Sequence, residues 1–172
     1  MTIQQFLKKV LIEEVKSIQD NGGHYYLSFG IIAQGIELLG ACLDDKSIDQ
    51  QGLSQKRFEK CILDLFPTQY HPHAIDLYKK LRCGLLHTFI PNVGVELIES
   101  KDVAKIGGHL LKRKIRLGDS HESLIVVAEN FYEDLSAATR KIIDEGKIHS
   151  SKTGIKIVHE EGLIPLTTTP TL

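Results

Sequence analysis

Between Tyr25 and Leu43 the chain reads YYLSFGIIAQGIELLGACL, about five helical turns of mostly apolar residues broken by Gln34 and Glu37. A helix that is apolar over most of its circumference has little face to offer water, so it predicts a central helix that the rest of the chain must cover. The breaks at Gln34 and Glu37 make it a poor bilayer span, and no membrane segment is expected. Glu37 raises a question of its own. A carboxylate buried alone is costly, so it must find a cation or reach solvent; Arg82 is the candidate partner, and a solvent-facing glutamate is the other reading.

Covering helices are easy to find. Phe6, Leu7, Val10, Leu11, Val15 and Ile18 recur at helical spacing over Ile3 to Gln19, before the turn-forming run Asp20-Asn21-Gly22-Gly23. Ser54 is placed to cap a third helix reaching Phe66, with Phe58, Ile62 and Leu65 inward and Pro67 as its stop. Pro72 suits the first turn of a fourth helix running to about Thr88. Val93 to Glu99 and Leu110 to Leu117 read as a small β-hairpin. Asp119 and Glu122 then fit a capping box for a last long helix, in which Leu124, Val127, Phe131, Leu135, Ala138 and Ile142 step by three or four residues to a stop at Gly146. The expectation is an all-α bundle of about five helices, with room for one hairpin before the last.

The chain has 172 residues, 42% hydrophobic and 25% charged, enough for one packed domain without staples. Residues 1–146 form that domain, and 147–172 an arm or flexible tail. A net charge of -1 argues against a general basic field, so any nucleic-acid contact must use a local patch. Cys42, Cys61 and Cys83 form no CxxC pair, and their odd number suits a reducing cytoplasm. The start, MTIQQFLKKVLIEEVK, lacks the apolar core of a signal peptide.

The fourth helix carries the candidate chemistry. On a helical wheel Ala74, Tyr78, Leu81 and Leu85 share the core stripe, while Arg82 and His87 flank the adjoining sector, about 140° and 7.5 Å apart. At that separation they flank a groove rather than touch. Two copies packed around a dyad would bring each imidazole toward the other chain's guanidinium. Arginine offers a planar fork of donors for phosphate oxygens, and histidine exchanges protons near neutral pH. Together they suit attack of an RNA 2′-hydroxyl on the neighbouring phosphate, with Lys79 and Lys80 adding positive field. The alternative is structural: Arg82 bound to a carboxylate and His87 at a helix C-terminus, where a cation meets the dipole favourably.

The run Arg82-Cys83-Gly84-Leu85-Leu86-His87 resembles the R-x4-6-H motif of the HEPN superfamily, and the order of an apolar second helix, a motif helix and a long final helix extends the likeness over much of residues 3–146. The resemblance implies an all-α fold and a homodimer joined through the motif helix. It also implies Arg82 and His87 as the catalytic pair of a metal-independent endoribonuclease of defence, toxin–antitoxin or RNA-processing systems. Other members only bind, as partners of a nucleotidyltransferase, an antitoxin or RNA. One residue departs from the pattern. Active members usually carry a polar residue directly after the arginine, whereas Cys83 offers a thiol, a weak hydrogen-bonding group.

Lys101 to Arg116 holds six cations against Asp102 alone, and Lys80, Lys112, Arg113, Lys114 and Arg116 are candidates for holding an RNA backbone. His71-Pro72-His73, with His24 or His109, lacks the spacing of a metal site, and neither a P-loop nor a dinucleotide fingerprint is present. No metal or cofactor is expected.

Overall fold

The computed structural model describes residues 1–21, 24–115 and 120–157. Helix α1 is continuous through Ile3–Phe6, a π-helical stretch Leu7–Glu14 and Val15–Asp20, and opens with a capping box between Thr2 and Gln5. The apolar run forms α2, Tyr25–Cys42, followed by α3, Ser54–Leu65. Helix α4 begins as a 3-10 turn, Thr68–His73, and passes through Ala74–Asp76 and a π-helical stretch Leu77–Arg82 to end in Cys83–Thr88. Strand β1 (Val95–Ile98), short helix α5 (Val103–Ile106), β2 (Lys112–Arg113) and β3 (Ser123–Val127) precede the long α6, Ala128–Asp144, and the short α7, Ser150–Thr153.

The fold is dominated by helices, as the periodicity predicts, with α2 at its centre. By length and composition α2 would pass as a membrane span, yet more than half of it is buried inside this chain, with Phe29, Ile32, Ile36 and Leu39 in the main core beside Leu7, Leu11, Phe58, Ile62, Phe131 and Leu135. Against α3 the approach is so close that a side chain on Gly40 would place its Cβ 2.0 Å from the Arg57 carbonyl oxygen. Only a residue without a side chain lets these two helices meet there.

Four expectations are corrected. The strands form no hairpin: β1 and β2 do not pair with each other but lie on either side of β3, β1 parallel (Val95 opposite Leu124) and β2 antiparallel (Lys112 opposite Leu124). The last helix begins at Ala128, because Ser123–Val127, read as its first turns, is the central strand. Leu124 to Val127 are all buried, with β-branched residues at three of four positions, the composition of a strand covered on both faces. The fold is therefore predominantly helical, as expected, with a small three-stranded sheet in place of the hairpin, and Asp119, the expected cap, lies outside the described residues. Ser54 is the first helical residue rather than a cap, and Pro72 sits inside the 3-10 turn. At the far end of α6, Gly146 (φ 61°) closes the helix as expected, with its own N–H bonded to Ile143 and that of Lys147 to Ile142.

Beyond α6 the chain lies back on the body. His149 N–H donates to the Cys42 carbonyl, Ile148 is buried, and Ile157 N–H reaches the Met1 carbonyl. Lys152 is almost wholly buried, with its ammonium on the carbonyls of Asp44 and Lys46. Beside it, buried Arg57 grips both carboxylate oxygens of Asp44 (2.8 and 3.2 Å) and the carbonyls of Ile48 and Ser47. Residues 158–172 lie outside the described residues.

A second, partly buried polar cluster ties the sheet to the helices. Val127 N–H donates to His109 Nδ1 (2.9 Å), which places the ring proton on Nε2. That group meets the Tyr70 hydroxyl (2.6 Å), and the hydroxyl donates to Asp134 Oδ2 (2.7 Å). Burial lowers the His109 pKa to about 4, against about 6.5 in an unfolded chain. Between those values the unfolded state binds the extra proton, so stability falls as pH drops through that window. Denaturant midpoints at pH 7 and pH 5 should differ in the native protein, and His109→Gln should flatten the difference; an unchanged slope in the variant contradicts this assignment.

Candidate functional site

The motif helix separates the two candidate residues by exposure. Arg82 ends the π-helical stretch and is 8% exposed, whereas His87, in the last turn of α4, is open to solvent. The wheel drawn at 3.6 residues per turn put Tyr78 in the core stripe and Arg82 beside it. The wider π turns bury Leu77 and Arg82 and leave Tyr78 half-buried, a rotation no sequence periodicity carries.

Arg82 meets Glu37 of α2, the pairing considered above, with NH2 2.6 Å from the carboxylate, and its guanidinium lies over the Tyr78 ring at 5.6 Å. The ion pair is close but poorly aligned. Arg82 Nε and Glu37 Oε2 both lack a hydrogen-bond partner among the described residues, so the guanidinium retains a buried, unspent donor. Cys83 is half-buried and hydrogen-bonds Tyr78; burial first, and then this thiol, push the phenol's pKa above its ordinary value. Arg82 is thus held from three sides: a carboxylate on its end, a ring beneath, and a neighbour that fixes that ring.

Beside Arg82 opens a groove of about 410 Å³, walled by Ile18 of α1, Leu27 and Ile31 of α2, and Leu85, Leu86 and Phe89 of the motif helix and its end. The rim is apolar and wet. Tyr26, Leu27, Leu86, Phe89 and Ile90 are each at least 43% exposed. Phe89 adopts a left-handed backbone (φ 62°), held by the Tyr26 hydroxyl donating to its carbonyl. A bulky residue in that conformation carries a cost of roughly 1–2 kcal/mol, yet its ring points to solvent. Contiguous exposed apolar surface of this kind marks an interaction face. From sequence, Ile18 and Leu85 read as core positions and Leu86 as part of the motif, and nothing marked them as one groove with Leu27, Ile31 and Phe89. Their signal, apolar positions on two sides of one helix end, is readable only once the packing is known.

The supporting cations disperse. Lys79 is exposed, while Lys80 and Lys112, far apart in sequence, both pair with Asp76 at 3.0 and 3.2 Å. Arg113 donates to the Ile106 carbonyl, Lys114 is exposed, and Arg116 lies outside the described residues. The structure therefore brings Glu37, Cys83 and Arg82 together, leaves His87 on the neighbouring surface, and gathers Lys80 and Lys112 at a separate place. Among the described residues no cluster of His, Cys, Asp or Glu could hold a metal ion. Compared with protein-family models, curated proteins and solved structures, the chain matches none, so the chemistry of this site is read from its own residues.

Proposed function

We propose that this protein acts on RNA as a HEPN-like homodimer, with the apolar groove of one copy seated against that of the other. The observation that carries the reading is the juxtaposition on one helix end of a braced guanidinium with an unspent donor, an apolar groove that Arg82 helps to line, and an exposed imidazole on the neighbouring surface. The rim supplies the hydrophobic contact surface of an isologous interface, and closing it brings His87 of one copy toward Arg82 of the other. In that cleft the imidazole accepts the 2′-hydroxyl proton as the oxygen attacks the adjacent phosphorus, and the guanidinium stabilises charge gathering on the phosphoryl oxygens. The 5′-oxygen leaves with the proton that the imidazolium returns, and the products are a 2′,3′-cyclic phosphate and a 5′-hydroxyl end. The chemistry requires no metal, and three free cysteines suit a cytoplasmic setting.

A second reading, a silent HEPN-like module that binds RNA or a protein such as a nucleotidyltransferase or antitoxin, is favoured by one feature: Arg82 is already engaged by Glu37, and Cys83 adds little polar support. Incubation of the purified protein with end-labelled RNA in excess EDTA separates the two. The nuclease reading expects cleavage that leaves cyclic phosphate ends; intact RNA with salt-sensitive binding supports the module.

A further inference from the structure

On the other side of the motif helix, two hollows of about 450 and 350 Å³ run into each other, sharing Val93, Gly94, Ser120 and His121. Lys80 and Lys112 line the larger of the two together with Ser120 and His121. Solvent-exposed lysines ordinarily wander, but these two are held by a single carboxylate, Asp76, at 3.0 and 3.2 Å. Burial would raise the Asp76 pKa, and the two ammoniums outweigh it and hold the carboxyl below its usual range. One carboxylate against two ammoniums leaves one excess positive charge at this trio. Gly94 contributes the floor. Its φ of 99° is a conformation that residues with a side chain rarely adopt, and a Cβ there would stand 3.2 Å from Lys80 Nζ, which would have to give way slightly.

We propose that this cleft binds a terminal phosphate monoester, held by Lys80 and Lys112 with Ser120 and His121 as further donors. The volume exceeds what a bare carboxylate needs and suits a phosphate carrying a sugar and base. Glu96 and Glu122 stand in the lining of the same hollows. They repel an acidic polymer laid along the cleft, whereas a single terminal phosphate seats between the lysines and clears them. The site does not rest on the nuclease reading, since it uses neither His87 nor the apolar groove.

The test follows backbone amide signals of the full chain at neutral pH during titration with uridine 5′-monophosphate and, separately, uridine. The nucleotide should shift Gly94, Ser120 and His121 saturably and uridine should not. Lys80→Met/Lys112→Met should weaken binding by about tenfold or more, and His87→Ala should leave it unchanged, which keeps this result separate from any result on cleavage. Short oligouridines with and without a 5′-phosphate identify the source: shifts from the phosphorylated form alone make the ligand an RNA end, and shifts from the mononucleotide alone make it a free nucleotide. Equal shifts from uridine and its monophosphate, or no shift in a natively folded protein, overturn the proposal. That comparison stands on the unmodified chain even if the double variant fails to fold.

Discussion

Arg57→Ala is expected to lower the unfolding free energy by about 3–5 kcal/mol and the melting temperature by roughly 10 °C. Arg57 is 4% exposed, grips both oxygens of Asp44, and donates to the carbonyls of Ile48 and Ser47. Removing it leaves Asp44 with Lys152 as its nearest cation, at 3.7 Å, takes the donor from the Ile48 carbonyl, and leaves the Ser47 carbonyl with the Gln50 N–H. The cost is that of uncompensated buried polarity more than of the pair's own attraction. Arg57→Met with Asp44→Leu removes both charges and should recover much of the loss, as apolar replacements of buried pairs commonly do. Acid should have a related effect. Burial raises the Asp44 pKa, but the Arg57 hydrogen bond, the Lys46 N–H and the charges of Arg57 and Lys152 together hold it below its ordinary value. The stability it contributes is therefore complete above the unfolded value of about 4 and disappears as pH falls toward the lower folded value. A loss below about 1 kcal/mol in Arg57→Ala, typical of an exposed pair, contradicts this description of the loop.

His87→Ala is expected to reduce metal-independent RNA cleavage by about 100- to 10,000-fold, the usual contribution of a positioned general base or acid, while leaving the melting temperature nearly unchanged. The asymmetry follows from exposure: His87 is on the surface and supports no packing, whereas Arg82 is buried on Glu37 and over Tyr78. Substituting Arg82 should therefore disturb both stability and chemistry, since Glu37 is left without its cation. A stable His87→Ala protein that cleaves as fast as the parent contradicts the catalytic role of the imidazole.

Much of the helical body was legible because one chemical signal decides it. Apolar residues at three- and four-residue spacing give α1, α3 and most of α6, and a run apolar all round gives a buried α2. The central strand of the sheet was not legible, for a physical reason. Leu124-Ile125-Val126-Val127 is apolar at every position, so it satisfies a helical stripe and a buried strand alike, and only the β-branching of three of the four leans toward the strand. Its parallel partner, Val95–Ile98, lies within the stretch read as a strand, but it is remote in sequence and nothing in it announces this pairing. In the site, the Arg82–Glu37 contact was foreseeable from a lone carboxylate in an apolar helix. The exposed setting of His87, the Phe89 rim and the Asp76-bound lysines depend on how α4 turns and where the chain after it folds back. Arg57 did leave a trace, since it shares the inner stripe of α3 with Cys61 and Leu65, where an arginine must find buried partners. Lys152, in the polar stretch Ser150–Thr153, left none.

The composite site admits a direct test by mixing two inactive variants, Arg82→Gln and His87→Ala, after subunit exchange. If each site takes its guanidinium from one copy and its imidazole from the other, every mixed dimer holds one intact pair, and cleavage in EDTA should return to about a quarter of the parent rate when the copies combine at random. Mixtures as inactive as the separate variants, with mixed dimers verified to form, contradict a site shared between subunits.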